Sequence, residues 1–182
     1  MSSAASTWAG LGRVLPWRDL VAVGSILTTR PRGPGGHYTG AAPTTLASLQ
    51  AAVDAGPRTG VAHLREALPF VRAGARSRPE VHLFLALVMA GLPEPAYDVP
   101  VYDRRGELIG IFDLGFATER VLVEFQGDYH RKSRAAWAAD IRKRERAREE
   151  GWTTLEIVRG DVYPDSAPAV ARVERALARA AR

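Results

Sequence analysis

A single aspartate interrupts the apolar run Leu108-Ile109-Gly110-Ile111-Phe112-Asp113-Leu114, and that interruption limits what the chain can build. An apolar run of this length reads as a strand, whose side chains alternate between two faces. A carboxylate inside such a strand costs free energy unless it is paired or bound to a cation. A second run, Arg120-Val121-Leu122-Val123-Glu124-Phe125-Gln126, follows the short link Ala117-Thr118-Glu119. Links this short favour antiparallel neighbours. In such a hairpin Asp113 and Glu124 fall almost opposite each other. Like charges so placed destabilise a sheet, and a divalent cation with oxygen ligands removes the conflict. Alternation puts Glu124 and Gln126 side by side on one face, and Val121, Val123 and Phe125 on the other. The competing expectation is that one carboxylate simply faces solvent at a sheet edge.

The neighbouring elements follow from their punctuation. Ser77-Arg78-Pro79-Glu80 reads as a helix start, with Ser as cap, Pro in the first turn and Glu three residues on. The helix continues from Val81 to Ala90, where Gly91 closes it and Pro93 prevents its resumption. It is apolar nearly all round, so it is expected to be buried. Three strands follow, at about 96–102, 108–116 and 120–126, with Asp103-Arg104-Arg105-Gly106 as the first turn. A charged helix over about 133–150 ends at Gly151, a fourth strand takes 152–158, and a closing helix 167–181. Ahead of residue 77 the pattern is helical. One helix starts at Trp17, a second covers 44–53 and a third 60–71, with a Pro/Gly-rich loop at 30–36. The expected division is a helical segment 1–76 and an α/β domain 77–182.

Charge narrows the choice of partner. Net charge is +5, and Lys132 and Lys143 are the only lysines. Between residues 131 and 150 stand eight basic and four acidic residues, so most of the excess is local. Such a segment suits a phosphate backbone, and it equally suits a solvated helix with Glu/Arg pairs. The chain has no cysteine, which excludes disulfides and Cys-based zinc and fits a reducing cytoplasm. No apolar run approaches the roughly 20 residues that span a bilayer. Residues 1–7 lack the charged and apolar regions of a signal peptide. A cytoplasmic protein without membrane association is expected. Trp137 and Trp152 are expected in the core, and His37, His63 and His82 show no ligand spacing.

The ordered pieces resemble the PD-(D/E)XK, or restriction-endonuclease-like, superfamily. The pieces are Ser77-Arg78-Pro79-Glu80, Ala90-Gly91-Leu92-Pro93-Glu94-Pro95 and Phe112-Asp113-Leu114, then Val123-Glu124-Phe125-Gln126-Gly127-Asp128-Tyr129-His130, Asp140-Ile141-Arg142-Lys143-Arg144-Glu145 and Gly151-Trp152. Within that superfamily they look most like the very-short-patch-repair-like endonuclease domains of actinobacteria, which often carry a helical segment ahead of the nuclease. The resemblance covers about residues 77–165 and implies an αβββαβ core with a helical N-terminal extension.

It also implies roles. Asp113 matches the central metal-binding Asp and Glu124 the acid of the (D/E)XK pair. The Phe125 carbonyl matches a further ligand, and Glu80 a helix acid that supplies an outer metal contact. His130 matches a histidine that assists the reaction, and its ordinary pKa of about 6.5 suits proton transfer. Glu80 equally completes a capping box with Ser77. Two departures stand out: Phe112 replaces the motif's proline, and Gln126 occupies the lysine position. Gln can orient a water but cannot supply a positive charge. The implied protein is a Mg²⁺- or Mn²⁺-dependent DNA endonuclease of repair or defence, acting on duplex or single strands, with dimerisation common in the superfamily. Arg131, Lys132, Arg134, Arg142, Lys143 and Arg146 would hold the backbone. The alternatives are a nucleic-acid-binding or regulatory module that has lost catalysis, and a toxin or defence component of a two-gene system.

Overall fold

A computed structural model describes residues 3–33, 36–127 and 134–182. The chain forms two compact units, Met1–Leu85 and Ala86–Arg182, which meet within one helix. The expected boundary at 76/77 falls one residue before that helix begins.

The first unit is helical. It contains α1 (Ala4–Leu11), α2 (Trp17–Thr28), α3 (Leu46–Asp54), α4 (Val61–Ala67) with a 3₁₀ turn at Leu68–Phe70, and the start of α5 (Arg78–Met89). The helical pattern expected ahead of residue 77 extends to 4–11, before the first helix start read at Trp17. Ser3 caps that helix by accepting from the Ser6 N–H, and Trp8 fixes it, fully buried with its indole N–H on the Leu20 carbonyl at 2.8 Å. Thr45 caps α3 through the Ser48 N–H, which sets its start one residue beyond the cap.

The start of α5 is held by Glu80, whose two oxygens accept from the Ser77 hydroxyl (2.7 Å) and the Arg76 N–H (2.8 Å). Arg78 and His82 of α5 both reach Asp19 of α2, at 2.6 and 2.9 Å. The Arg78 hydrogen bond holds the Asp19 carboxyl below the usual range. Burial pushes the His82 pKa below the ordinary 6.5, so the neutral ring donates from Nε2 to Asp19. Both shifts have the same sign for stability. His82 favours the folded state above pH 6.5 and loses that contribution as pH falls towards its folded value. Asp19 contributes above 3.8 and loses its share as pH falls through its lower folded value. Thermal melts should therefore show the first unit weakening between pH 7.5 and 5.5. In His82→Gln that drop should shrink; an unchanged drop would exclude His82 as its source.

The second unit is mixed α/β. After α5 come β1 (Ala96–Tyr102), β2 (Leu108–Phe116), β3 (Val121–Gln126), α6 (Arg134–Glu149), β4 (Thr153–Val158), α7 (Arg159–Val162) and α8 (Ala167–Ala180). The expected strands and the closing helix are present within a residue or so of their expected ends, and α7 is an added turn. Strand order is β1-β2-β3-β4. The first three are antiparallel neighbours and β4 joins β3 in parallel. β3 begins at Val121 rather than Arg120 because Arg120 is left-handed (φ +54). There its guanidinium holds the Glu150 and Gly151 carbonyls just past α6 and covers the Trp152 ring.

Residue alternation along β4 places α6 and α8 on opposite faces of the sheet. Thr154 and Glu156 meet Arg148 and Arg144 of α6. Thr153 and Leu155 line a groove with Arg172, Arg175 and Ala176 of α8. Val101, Ile109, Phe112, Leu122 and Ala147 form a core cluster, with Val99 and Trp152 packed against it. Trp137 is a correction to the sequence reading: it is 50% exposed, on the first turn of α6, whose buried residues Arg144 and Ala147 lie further along. Among the described residues no helix is long and apolar enough to cross a membrane.

Candidate active site

The hairpin brings Asp113 and Glu124 to adjoining strands, as their spacing predicts. The β2–β3 ladder pairs Phe116 with Val121, Gly115 with Leu122 and Leu114 with Val123, and then stops. Both strands continue, so the next positions, Asp113 and Glu124, stand where the ladder opens. Asp113 bridges the opening: its Oδ2 accepts from the Phe125 N–H at 2.8 Å, a side chain standing in for a backbone partner.

The same row extends across the whole sheet. Tyr97 pairs with Leu114 and Val99 with Phe112, so the β1 position opposite Asp113 belongs to Asp98. On the far side Glu124 pairs with Glu156 of β4. Each of the four strands thus contributes one acid to a single row. Asp98 has a left-handed backbone (φ +60), uncommon for a residue inside a strand. No sequence signal points to it.

Protein cations answer this charge. Lys143 of α6 crosses β2 and donates to Glu124 Oε1 and, at 3.1 Å, to the Ile111 carbonyl. Its ammonium also sits 4.3 Å from the centre of the Phe112 ring. Arg144, 6% exposed, pairs with Glu156 at 3.2 Å and lies 3.8 Å from Glu124 Oε2. The path of Lys143 depends on Gly110. A methyl group there would come within 2.6 Å of Lys143 Cγ, so a side chain at 110 closes the channel. A glycine inside an apolar strand is the sequence sign of such a close approach.

These contacts change the argument for a metal. Charge balance at the acids is met by Lys143 and Arg144, so repulsion alone no longer requires a divalent ion. The donor set still suits one. Glu124 Oε2 is buried and has no hydrogen-bond partner, and neither has Arg144 Nη1. A buried carboxylate oxygen without a hydrogen bond can take a hard cation, in place of the Arg144 guanidinium 3.8 Å from it. Among the described residues no three His, Cys, Asp or Glu side chains form a metal-binding group.

The remaining predicted residues are dispersed. Gln126 is 7% exposed, on the α6 face with Glu124. Glu80 lies in the first unit, engaged in its helix cap. Arg134 and Arg142 are exposed on α6. Arg146 pairs with Asp103 at 3.0 Å. Lys143, predicted as a phosphate contact, is turned inward to Glu124. His130, Arg131 and Lys132 lie outside the described residues.

Comparison with known proteins yields relatives without an activity in their names. The chain is 30% identical over 123 residues to "Uncharacterized protein Rv2248" of Mycobacterium tuberculosis strain H37Rv. The figures are the same for "Uncharacterized protein MT2308" of M. tuberculosis strain CDC 1551 / Oshkosh. The match covers 68% of this chain and 45% of each relative, so the chain spans about half the length of these curated relatives. No family model and no solved structure matches.

Proposed function

We propose that the second unit is a metal-dependent phosphodiesterase acting on DNA, built on a restriction-endonuclease-like αβββαβ core. The observation that carries this reading is the opening of the β2–β3 ladder at Asp113 and Glu124, with an orphaned carboxylate oxygen on one side and the Lys143 ammonium on the other. A buried acid, a half-buried one and a lysine do not converge at a strand fork for stability alone, since replacing such groups with apolar residues is often neutral or stabilising.

Asp113, Glu124 and the Phe125 carbonyl would hold Mg²⁺ or Mn²⁺. When bound, the ion supplies Lewis acidity and charge neutralisation at the phosphate. Lys143 supplies the positive charge that Gln126 cannot, from a helix rather than from β3. Anchored by its stem at Gly110, it can turn its ammonium from Glu124 to the scissile phosphate. Gln126 would orient the attacking water, and His130 would protonate the leaving oxygen. Arg134 and Arg142, exposed on α6, would hold the flanking backbone through salt-sensitive contacts. Glu80 takes no part in this proposal, because both its oxygens serve the helix cap.

The test uses plasmid and single-stranded DNA with Mg²⁺ or Mn²⁺. Wild type is expected to cleave, and Asp113→Ala to lose at least about a thousandfold in rate while still binding DNA. Equal behaviour of the two proteins on every substrate would sink the catalytic reading. A second reading, a DNA-binding module without catalysis, is favoured by one observation: Lys143 already occupies the acid that a metal would need. DNA binding in calorimetry with no Mg²⁺ or Mn²⁺ binding would decide for it.

A further inference from the structure

Trp137, Ile141, Arg144 and Arg148 recur at helical spacing and form one stripe along α6. Together with Glu156 of β4 they line a pocket of about 310 Å³, at the lower end of the ~300–1,000 Å³ typical of small-molecule sites. We propose that this pocket receives one unstacked nucleobase of single-stranded DNA. The proposal deepens the DNA-cleaving reading by naming its substrate class.

Three features select that occupant. Trp137 presents half its surface to solvent, whereas Phe112 and Phe116 of the same unit are buried. An exposed indole on an arginine-rich helix is a stacking platform for a flat ring attached to phosphate. Arg148, exposed and bonded to Thr154 at 2.8 Å, holds a guanidinium at the mouth. Glu156, paired with Arg144 at 3.2 Å, is the pocket's carboxylate. A carboxylate accepts from the exocyclic amino group of cytosine, and thymine has no such group. Acceptance of cytosine over thymine follows.

The pocket also adjoins the acids. Arg144 lines it, and the same guanidinium lies 3.8 Å from Glu124. Arg144 thus connects the pocket to Glu124. A base reaches the indole only by leaving its stack and its Watson–Crick partner, so intact duplex is excluded from the pocket.

Binding of the full chain to oligo-dC, oligo-dT and a matched duplex, measured without metal, tests this apart from cleavage. Trp137→Ala should weaken oligo-dC binding about ten- to a hundredfold and leave duplex binding and the circular dichroism spectrum unchanged. Trp137→Phe should retain most of the affinity, and Glu156→Gln should narrow the dC over dT preference. Unchanged oligo-dC binding by Trp137→Ala overturns the pocket. So does equal loss on single strand and duplex, or a changed oligomeric state, which would make the stripe a protein interface. If Trp137→Ala behaves as expected but Asp113→Ala cleaves like wild type, the pocket stands and the nuclease reading falls. Asp113-dependent cleavage with a silent Trp137 removes the pocket alone.

Discussion

Replacing Lys143 with methionine is expected to lower DNA cleavage at least about a hundredfold while tightening the binding of Mn²⁺. The opposite signs follow from the two places where one ammonium acts. Towards a bound phosphate it would be a preorganised positive charge, and loss of one such electrostatic partner typically costs two to three orders of magnitude in rate. Towards Glu124 it is a competitor, because its donor occupies Oε1. Methionine keeps an unbranched stem in the Gly110 channel, so the surrounding packing is preserved. Calorimetry with Mn²⁺ and a plasmid assay give the two readouts. Unchanged cleavage with weaker metal binding would make Lys143 a structural anchor only. Gly110→Ala, which obstructs the stem, should lower cleavage as Lys143→Met does.

Glu124→Gln should destabilise the second unit by about 3 kcal/mol, whereas Asp113→Asn should be close to neutral. Both acids sit in one row of like charges, so removing either relieves repulsion. Glu124 is held by two mostly buried cations: the side chains of Lys143 and Arg144 are 19% and 8% exposed. Removing its charge leaves Lys143 without its carboxylate and Arg144 with Glu156 alone, and an uncompensated buried charge costs more than the relieved repulsion returns. Asparagine at 113 keeps a carbonyl oxygen for the Phe125 N–H. Chemical denaturation of the two variants reads the difference. Stabilisation by both substitutions would show that α6 does not compensate the row.

The sequence located the hairpin because three local signals agree there: a short link, apolar alternation, and two acids whose register the link determines. It located the α5 start because capping is local chemistry among Ser77, Glu80 and the Arg76 N–H. It misjudged Trp137 and Lys143 for a shared reason. A charged helix announces its existence in sequence but not which of its positions the sheet covers: Lys143 and Arg144 meet the acids, whereas Trp137, earlier on the helix, stays exposed. Gly110, on another element and over thirty positions earlier, leaves the room for the Lys143 stem. Asp98 was illegible in a different way, since its left-handed backbone answers to the sheet, not to its neighbours in sequence. Helix α1 lay within the expected helical segment but its bounds were not legible, because eight residues give few turns for a periodic pattern.

The parallel pairing of β4 with β3 gives assembly of the second unit an order. β1, β2 and β3 meet through short turns and can zip locally, but β4 pairs only after residues 127–152 have crossed over. Asp113 and Glu124 are thus brought together by the early step, while Lys143 and Arg144 arrive with the crossover. Until then the meander carries unbalanced negative charge where its ladder opens. That charge acts as a gatekeeper: it keeps the exposed edge of β3 from pairing with another chain before its own β4 arrives.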